Sequence, residues 1–369
     1  MARIKVDRID VTQPCGAERW WQLCDRAEGL LIQQTMDWCR VLTQAYSDKP
    51  CFLIASQNGQ DLGGLPLYRF DSELGSIFSS VPGAGALGGV IHAADLFPEH
   101  ICSIYEALLG YAVALASDEA ALALTVISHP LLKDAGLITD AMKPDVVFHN
   151  FTQATRVCDV ASEGAFILPN NKDRNPGKTI RKARGAGVCT FLATTDSDFR
   201  QWLAIHEKRH SELGLAGLGS NLLERVFKEP APPNGAFLIL SELDDAICGG
   251  GLFIHTSFCC DAFMLSMDST YRNEAPNYAV METAFLEMDR RGIQFFNWQS
   301  SPSRQSGVYK FKNQWGCAEY AYLFATRLFV PRDEILKIGR QRLAAAFNGH
   351  FIVPFGLFDE PLAQEFGKT

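Results

Sequence analysis

From the sequence, no stretch is expected to carry the chain into or through a membrane. Its start, Met1-Ala2-Arg3-Ile4-Lys5-Val6-Asp7, lacks the apolar core of a signal peptide. Its most membrane-like window, Ala107 to Leu124, is interrupted by Ser117-Asp118-Glu119 and is too short on either side to span. Net positive charge is missing too: the formal charge is -8, which excludes a general nucleic-acid or anionic-membrane binder and confines any polyanion contact to a local patch. Among the 11 cysteines no Cys-x-x-Cys pair occurs. Several, such as Cys51 and Cys102, lie in apolar runs and read as reduced, buried small hydrophobes. The expectation is a soluble chain in a cytoplasm-like compartment.

What is present is an ordinary globular composition, 47% hydrophobic and 21% charged over 369 residues, a length that favours two domains. An internal repeat supports the division. Phe52-Leu53-Ile54-Ala55-Ser56, a turn at Asn58-Gly59 and Gly63-Gly64-Leu65-Pro66-Leu67 read as a β-hairpin. Phe237-Leu238-Ile239-Leu240-Ser241, a turn at Asp244-Asp245 and Gly249-Gly250-Gly251-Leu252-Phe253 repeat it. Before each hairpin lies a helix, Met36 to Tyr46 and Asn221 to Phe227. After each comes a longer amphipathic helix, Pro98 to Ala116 and Pro276 to Arg291, then a short apolar strand, Leu122 to Ile127 and Ile293 to Trp298. The expected fold class is α/β (α+β), two similar units in tandem, each a mixed β-sheet flanked by helices. The expected boundaries are 1–152, 153–346 and a tail, 347–369. From Pro331 to Phe347 one further helix is expected.

Late in the chain, Gly307-Val308-Tyr309-Lys310-Phe311-Lys312-Asn313-Gln314-Trp315-Gly316 sets two lysines around one phenylalanine. As a strand it would point Lys310 and Lys312 to one face and Phe311 to the other. Such a face is either a solvated edge defended by lysines or a seat for an anion. A dense basic cluster, Lys172, Arg174, Lys178, Arg181, Lys182 and Arg184, ends at Gly185-Ala186-Gly187. Lys178, Arg181 and Lys182 are spaced to share one helical face, either solvated or able to hold phosphates.

Three motif matches carry specific chemistry. Gly83-Ala84-Gly85-Ala86-Leu87-Gly88 fits G-x-G-x-x-G, yet Gly89-Val90-Ile91 resumes strand character where a dinucleotide site needs a helix, so a tight glycine loop is expected. His206-Glu207-Lys208-Arg209-His210 matches H-E-x-x-H, in which two imidazoles one turn apart bind zinc and the glutamate activates water. No third histidine follows, and Glu224 or Glu229 would have to serve, against a plain polar helix face. Lys182-Ala183-Arg184-Gly185-Ala186-Gly187 resembles an acyl-CoA pyrophosphate loop in reversed context, with the helix before it and the strand after, so a helix cap is the better reading.

Taken in order, the Gly-Gly-Leu-Pro-Leu hairpin, Gly88-Gly89, Ile180-Arg181-Lys182-Ala183 before Gly187-Val188, Gly249-Gly250-Gly251, Pro276-Asn277-Tyr278 and Phe311-Lys312 with Trp315-Gly316 resemble the Fem-type peptidyltransferases and their BioF2-like relatives. The resemblance covers most of the chain and implies two tandem GNAT-like domains. It implies transfer of an acyl group, aminoacyl in the founding members, from an activated ester such as aminoacyl-tRNA to an amine of a small-molecule, peptide or cell-envelope acceptor. It also implies that Lys312 sits near the ester carbonyl as electrophile, with Phe311 as its packing support. Lys310, Arg304, Arg181 and Arg184, with Arg272, Tyr278 and Trp298, are expected at the substrate. Asp268, with Asp261 and His255, is a candidate base on or beside the second-domain strands. The segment Arg272-Asn273-Glu274-Ala275-Pro276-Asn277-Tyr278 lacks the glycines that close on a pyrophosphate, which disfavours acyl-CoA. An acyl-CoA-dependent N-acyltransferase and a zinc hydrolase on His206, Glu207 and His210 are the alternatives. The transferase reading calls for no cofactor, and oligomeric state is not legible.

Overall fold

The computed structural model describes residues 3–46, 49–80, 87–167, 176–214, 218–229, 234–301, 303–347 and 357–358. It is a mixed α/β protein whose chain forms two compact units, Met1–Phe151 with Ala321–Thr369, and Thr152–Tyr320. The expected second domain ran on to 346; the structure returns the chain to the first unit at Ala321. The reason is a long-range pairing, in which Phe324 to Leu328 lie antiparallel to Ala123 to Ile127. Nothing local in the sequence announces that partner.

In the first unit the strands Phe52–Gln57 and Gln60–Leu65 form the expected hairpin. Its turn places Asn58 at φ 52 and Gly59 at φ 81, the left-handed pair that matches strand twist. Lys5–Ile9 adds antiparallel to its open side. The helix Pro98–Asp118 buries Ile104, Leu108, Leu109 and Ala112 in the core formed with Leu53, Leu65, Leu124 and Val126. Contrary to the expectation from sequence, this helix is long and apolar enough to cross a membrane, and one face of it packs in the core of the unit. Cys51 is buried as expected, but Cys102 is exposed, because the 3.6-residue period carries it off the buried stripe.

The second unit repeats this plan. Cys189–Ala193, Gly235–Leu243, Ala246–His255 and Cys259–Met267 are successive antiparallel strands, followed by Phe295–Asn297 in parallel and residues 154–156 beyond it. The helix Pro276–Arg290 packs Val280, Met281, Phe285 and Met288 on Phe237, Ile239, Phe253 and Phe296. The duplication extends to register. Ala55 faces Gly63 and Ser241 faces Gly249, each pair stands next to a bulge, and Val6 and Thr190 pair with the corresponding strand residues. Both hairpins also meet a tryptophan at a glycine. A Cβ on Gly64 would lie 2.6 Å from Trp20, and one on Gly250 would lie 2.8 Å from Trp202. In each unit glycine lets an indole rest on the strand backbone.

After Ala321 the expected helix 331–347 is two, Arg332–Ile338 and Arg340–Ala346, broken where Gly339 sits at φ 83. Gly83 to Ala86, Lys172 and Arg174 lie outside the described residues. Gly187, at φ 92, closes the basic helix Pro176–Gly185, whose last carbonyls accept from Ala186, Gly187 and Val188. This is the helix-cap arrangement expected there.

Candidate active site

The stretch expected as a lysine-edged strand is a helix, Gly307–Asn313. Ser306 caps it, its Oγ accepting from the Tyr309 amide at 3.1 Å, and Gly316 at φ 69 turns the chain out of it. The alternation of Lys310, Phe311 and Lys312 imitates a strand, but the cap and the glycine exit decide the local conformation. In a helix, positions two apart diverge. Lys310 is exposed, whereas Lys312 is 7% exposed.

The Lys312 ammonium donates to the carbonyls of Gln299 at 2.9 Å and Ser300 at 2.8 Å. Burial lowers its pKa from 10.5 to about 8, so at neutral pH it remains a cation held in a largely dry setting. The carbonyls come from the loop that leaves the strand Phe295–Asn297, where Gln299 adopts the left-handed φ of 63. That conformation is uncommon for a residue with a Cβ and is over-determined here by neighbours.

The chief neighbour is Gln153, which is fully buried. Its carbonyl accepts from the Trp298 amide at 2.8 Å and its Oε1 from Ser301 Oγ at 2.9 Å. Its Nε2 donates to Cys317 Sγ at 3.2 Å and to the Tyr309 carbonyl at 3.5 Å. One side chain therefore ties the loop that supplies the acceptors to the helix that supplies the lysine. Sequence reasoning missed it, since a glutamine inside a strand carries no local signal.

An aromatic shell completes the surroundings. Phe311 meets Tyr278 edge-on at 5.1 Å and Trp298 at 5.9 Å, and Trp315 stacks on Phe285 at 5.6 Å. Phe311 thus packs within this aromatic cluster. Tyr278 donates its hydroxyl to Gln314 Oε1 at 3.1 Å. Trp298, expected at the substrate, is 3% exposed and donates Nε1 to Thr155 Oγ1 at 2.9 Å, so it supports the loop from within.

The remaining expected residues divide by their partners. Arg304 is held by Glu319 through two bonds of 2.9 and 2.7 Å, and the Tyr309 hydroxyl donates to the same carboxylate. A guanidinium so engaged is poorly placed to take phosphate. Arg184 donates to the buried Glu282 at 2.7 Å. Arg181, Lys310 and Arg272 are exposed, and among the described residues no ion pair engages them. Lys178, Arg181 and Lys182 share the exposed side of their helix.

Asp268 does not have the surroundings of a base. Its carboxylate accepts from Lys208 Nζ at 2.8 Å and from the Thr270 hydroxyl and amide, and these bonds hold its pKa down to about 2. It caps the turn Ser269–Glu274. Asp261 is buried, accepting from Asn297 Nδ2 at 2.6 Å, and burial together with Arg291 at 3.0 Å keeps His255 near 4.

His206 and His210 also pack inward. His206 is 1% exposed, with Nδ1 at 3.0 Å from Ser266 Oγ and its ring 5.3 Å from Trp202. The His210 Nδ1 lies 3.0 Å from the His206 carbonyl, and Glu207 faces solvent. Among the described residues no third donor joins the pair.

No protein-family model matches the sequence, and no curated protein matches it. Solved structures do. FemX aligns with a TM-score of 0.64 at 12% identity, over 91% of this chain and 99% of its own. A tandem GNAT protein from the clavulanic acid biosynthesis pathway aligns with a TM-score of 0.52 at 12% identity, over 89% and 99%. L-PGS from Bacillus licheniformis aligns with a TM-score of 0.50 at 9% identity, over 81% and 89%. The chain has the tandem GNAT fold these proteins share.

Proposed function

We propose that this chain is an acyltransferase, moving an aminoacyl group from an activated ester, aminoacyl-tRNA in the first instance, to an amine. The observation that carries the reading is the buried ammonium of Lys312. Two main-chain carbonyls take two of its three hydrogens, leaving the third for a substrate oxygen.

When an amine attacks an ester carbonyl, the N–C bond forms as charge moves onto the carbonyl oxygen. Collapse of that oxyanion breaks the C–O bond, and the departing alkoxide takes up the proton that the amine gives away. A fixed cation beside the oxyanion stabilises the transition state by several kcal/mol, because a dry, preorganised donor need not reorient as charge develops. Lys312 has those properties: it is held, desolvated and still charged below pH 8. Its 7% exposure keeps most water from it. Lys310 and Arg272, being exposed, are the cations left to meet donor phosphates, with Arg304 and Arg184 engaged elsewhere.

The choice of donor rests on residues 272–278. Ala275 is left-handed at φ 56 and Pro276 opens the helix Pro276–Arg290 without an N–H, an end less suited to pyrophosphate than a glycine loop. A cytoplasmic setting, where charged tRNA is found, belongs to the same proposal.

The test is a transfer assay with a pool of charged tRNAs and, separately, acyl-CoA thioesters, scoring protein-dependent loss of the acyl group. Loss of an aminoacyl ester, abolished in Lys312→Met, supports the proposal. Loss from thioesters alone replaces the donor and makes the chain an acyl-CoA-dependent N-acyltransferase. Full activity in a folded Lys312→Met variant removes the electrophile.

A further inference from the structure

In the second unit an open groove lies between the helices Pro176–Gly185 and Pro276–Arg290. Its walls are apolar, from Phe166, Ile180 and Leu286, and its charged groups are Arg181, Arg184 and Glu282. Glu282 is 6% exposed and its carboxylate is paired with Arg184 at 2.7 Å. The pair cancels, and Arg181 has no ion pair among the described residues. Among the described residues the groove thus carries one uncompensated positive charge beside apolar surface.

We infer that this groove binds a carboxylate attached to an apolar body, as in an amino acid or short peptide. A guanidinium presents two parallel donors that match the two oxygens of a carboxylate, and the apolar walls offer burial to an adjoining side chain. A single excess charge matches a monoanion, whereas a phosphate monoester near neutral pH carries closer to two charges.

Packing connects the groove's walls to the lysine helix. Glu282 stands one turn beyond Tyr278 on Pro276–Arg290, Tyr278 contacts Phe311, and Phe166 meets Trp315 edge-on at 6.1 Å. A ligand anchored by its carboxylate at Arg181 would lie on the same helix, Pro276–Arg290, that packs through Tyr278 against Phe311. The assignment as acceptor rests on the acyl-transfer reading; the binding site itself does not.

The test is equilibrium binding to the full chain, by calorimetry, with N-acetyl-L-phenylalanine, its neutral amide and phenyl phosphate as probes. The acid is expected to bind, the amide to bind at least about tenfold more weakly, and Arg181→Gln to lose about tenfold in affinity for the acid. Glu282→Gln, which releases Arg184, is expected to tighten binding. Equal affinity for acid and amide, no effect of Arg181→Gln in a folded variant, or no binding of the acid overturns the inference; tighter binding of phenyl phosphate overturns the carboxylate assignment. Lys312→Met leaves these affinities unchanged if the groove is assigned correctly, whatever that variant does to transfer.

Discussion

The ammonium of Lys312 lies 2.9 Å from the main-chain carbonyl of Gln299, a residue held in the left-handed conformation. A buried cation held by a loop in this conformation contributes little to stability, since burial disfavours its charged form. Lys312→Met is therefore expected to leave the fold intact, with Tm within a few degrees of the parent, while transfer activity falls by about 100-fold to 1,000-fold. Circular dichroism melts beside single-turnover rates would separate the two effects.

The lowered pKa of Lys312 gives activity a basic limit. The cation is required, so kcat/KM is expected to fall as pH rises through about 8. A limb at the ordinary lysine value near 10.5 would mean that the ammonium is not buried during turnover.

Gln153 is expected to act through Lys312 rather than on substrate. Gln153→Glu places a carboxylate within the same hydrogen-bond network, and a negative charge nearby favours the ammonium. The basic limb of the pH profile should move upward. Gln153→Ala, which releases both the loop and the helix, is expected to cost about 1–3 kcal/mol of stability and to lower kcat more than it raises KM. An unmoved limb in Gln153→Glu would mark the residue as structural only.

The glycines under the two indoles predict a contrast. Gly250→Ala drives a Cβ to 2.8 Å from Trp202 and 2.7 Å from the Ile239 carbonyl, and Gly64→Ala drives one to 2.6 Å from Trp20. Each is expected to destabilise by about 1–3 kcal/mol or more. Gly110→Ala, in the helix Pro98–Asp118 with nothing within 4 Å of the added carbon, is expected to stabilise by about 0.5–1 kcal/mol. Urea midpoints for the three variants check the signs.

Stability should fall on mild acidification. Burial holds His129, His206 and His255 each near 4, below the ordinary 6.5. The unfolded chain binds protons in that window that the folded one refuses, so stability is full above 6.5 and declines toward 4. Asp134 works the other way, because burial raises it to about 7 and its contribution is lost as pH rises from 3.8 to 7. Three groups outweigh one, and the denaturation midpoint is expected to be lower at pH 5 than at pH 7.

Sequence alone determined the repeat. Its signals are local: a turn pair at Asn58-Gly59 and again at Asp244-Asp245, apolar strands around them, and prolines opening Pro98–Asp118 and Pro276–Arg290. Short-range sterics and side-chain periodicity write such features directly into residue order. Only the tertiary structure decided that Gly307–Asn313 is helical and that Lys312 is buried while Lys310 is not. It also decided that Arg304 belongs to Glu319, Arg184 to Glu282 and Asp268 to Lys208. The acceptors of Lys312 are main-chain carbonyls, which every residue has, and its organiser, Gln153, lies on a strand far away in sequence. Pairings of that kind depend on which distant strands meet, and no residue type or spacing encodes them.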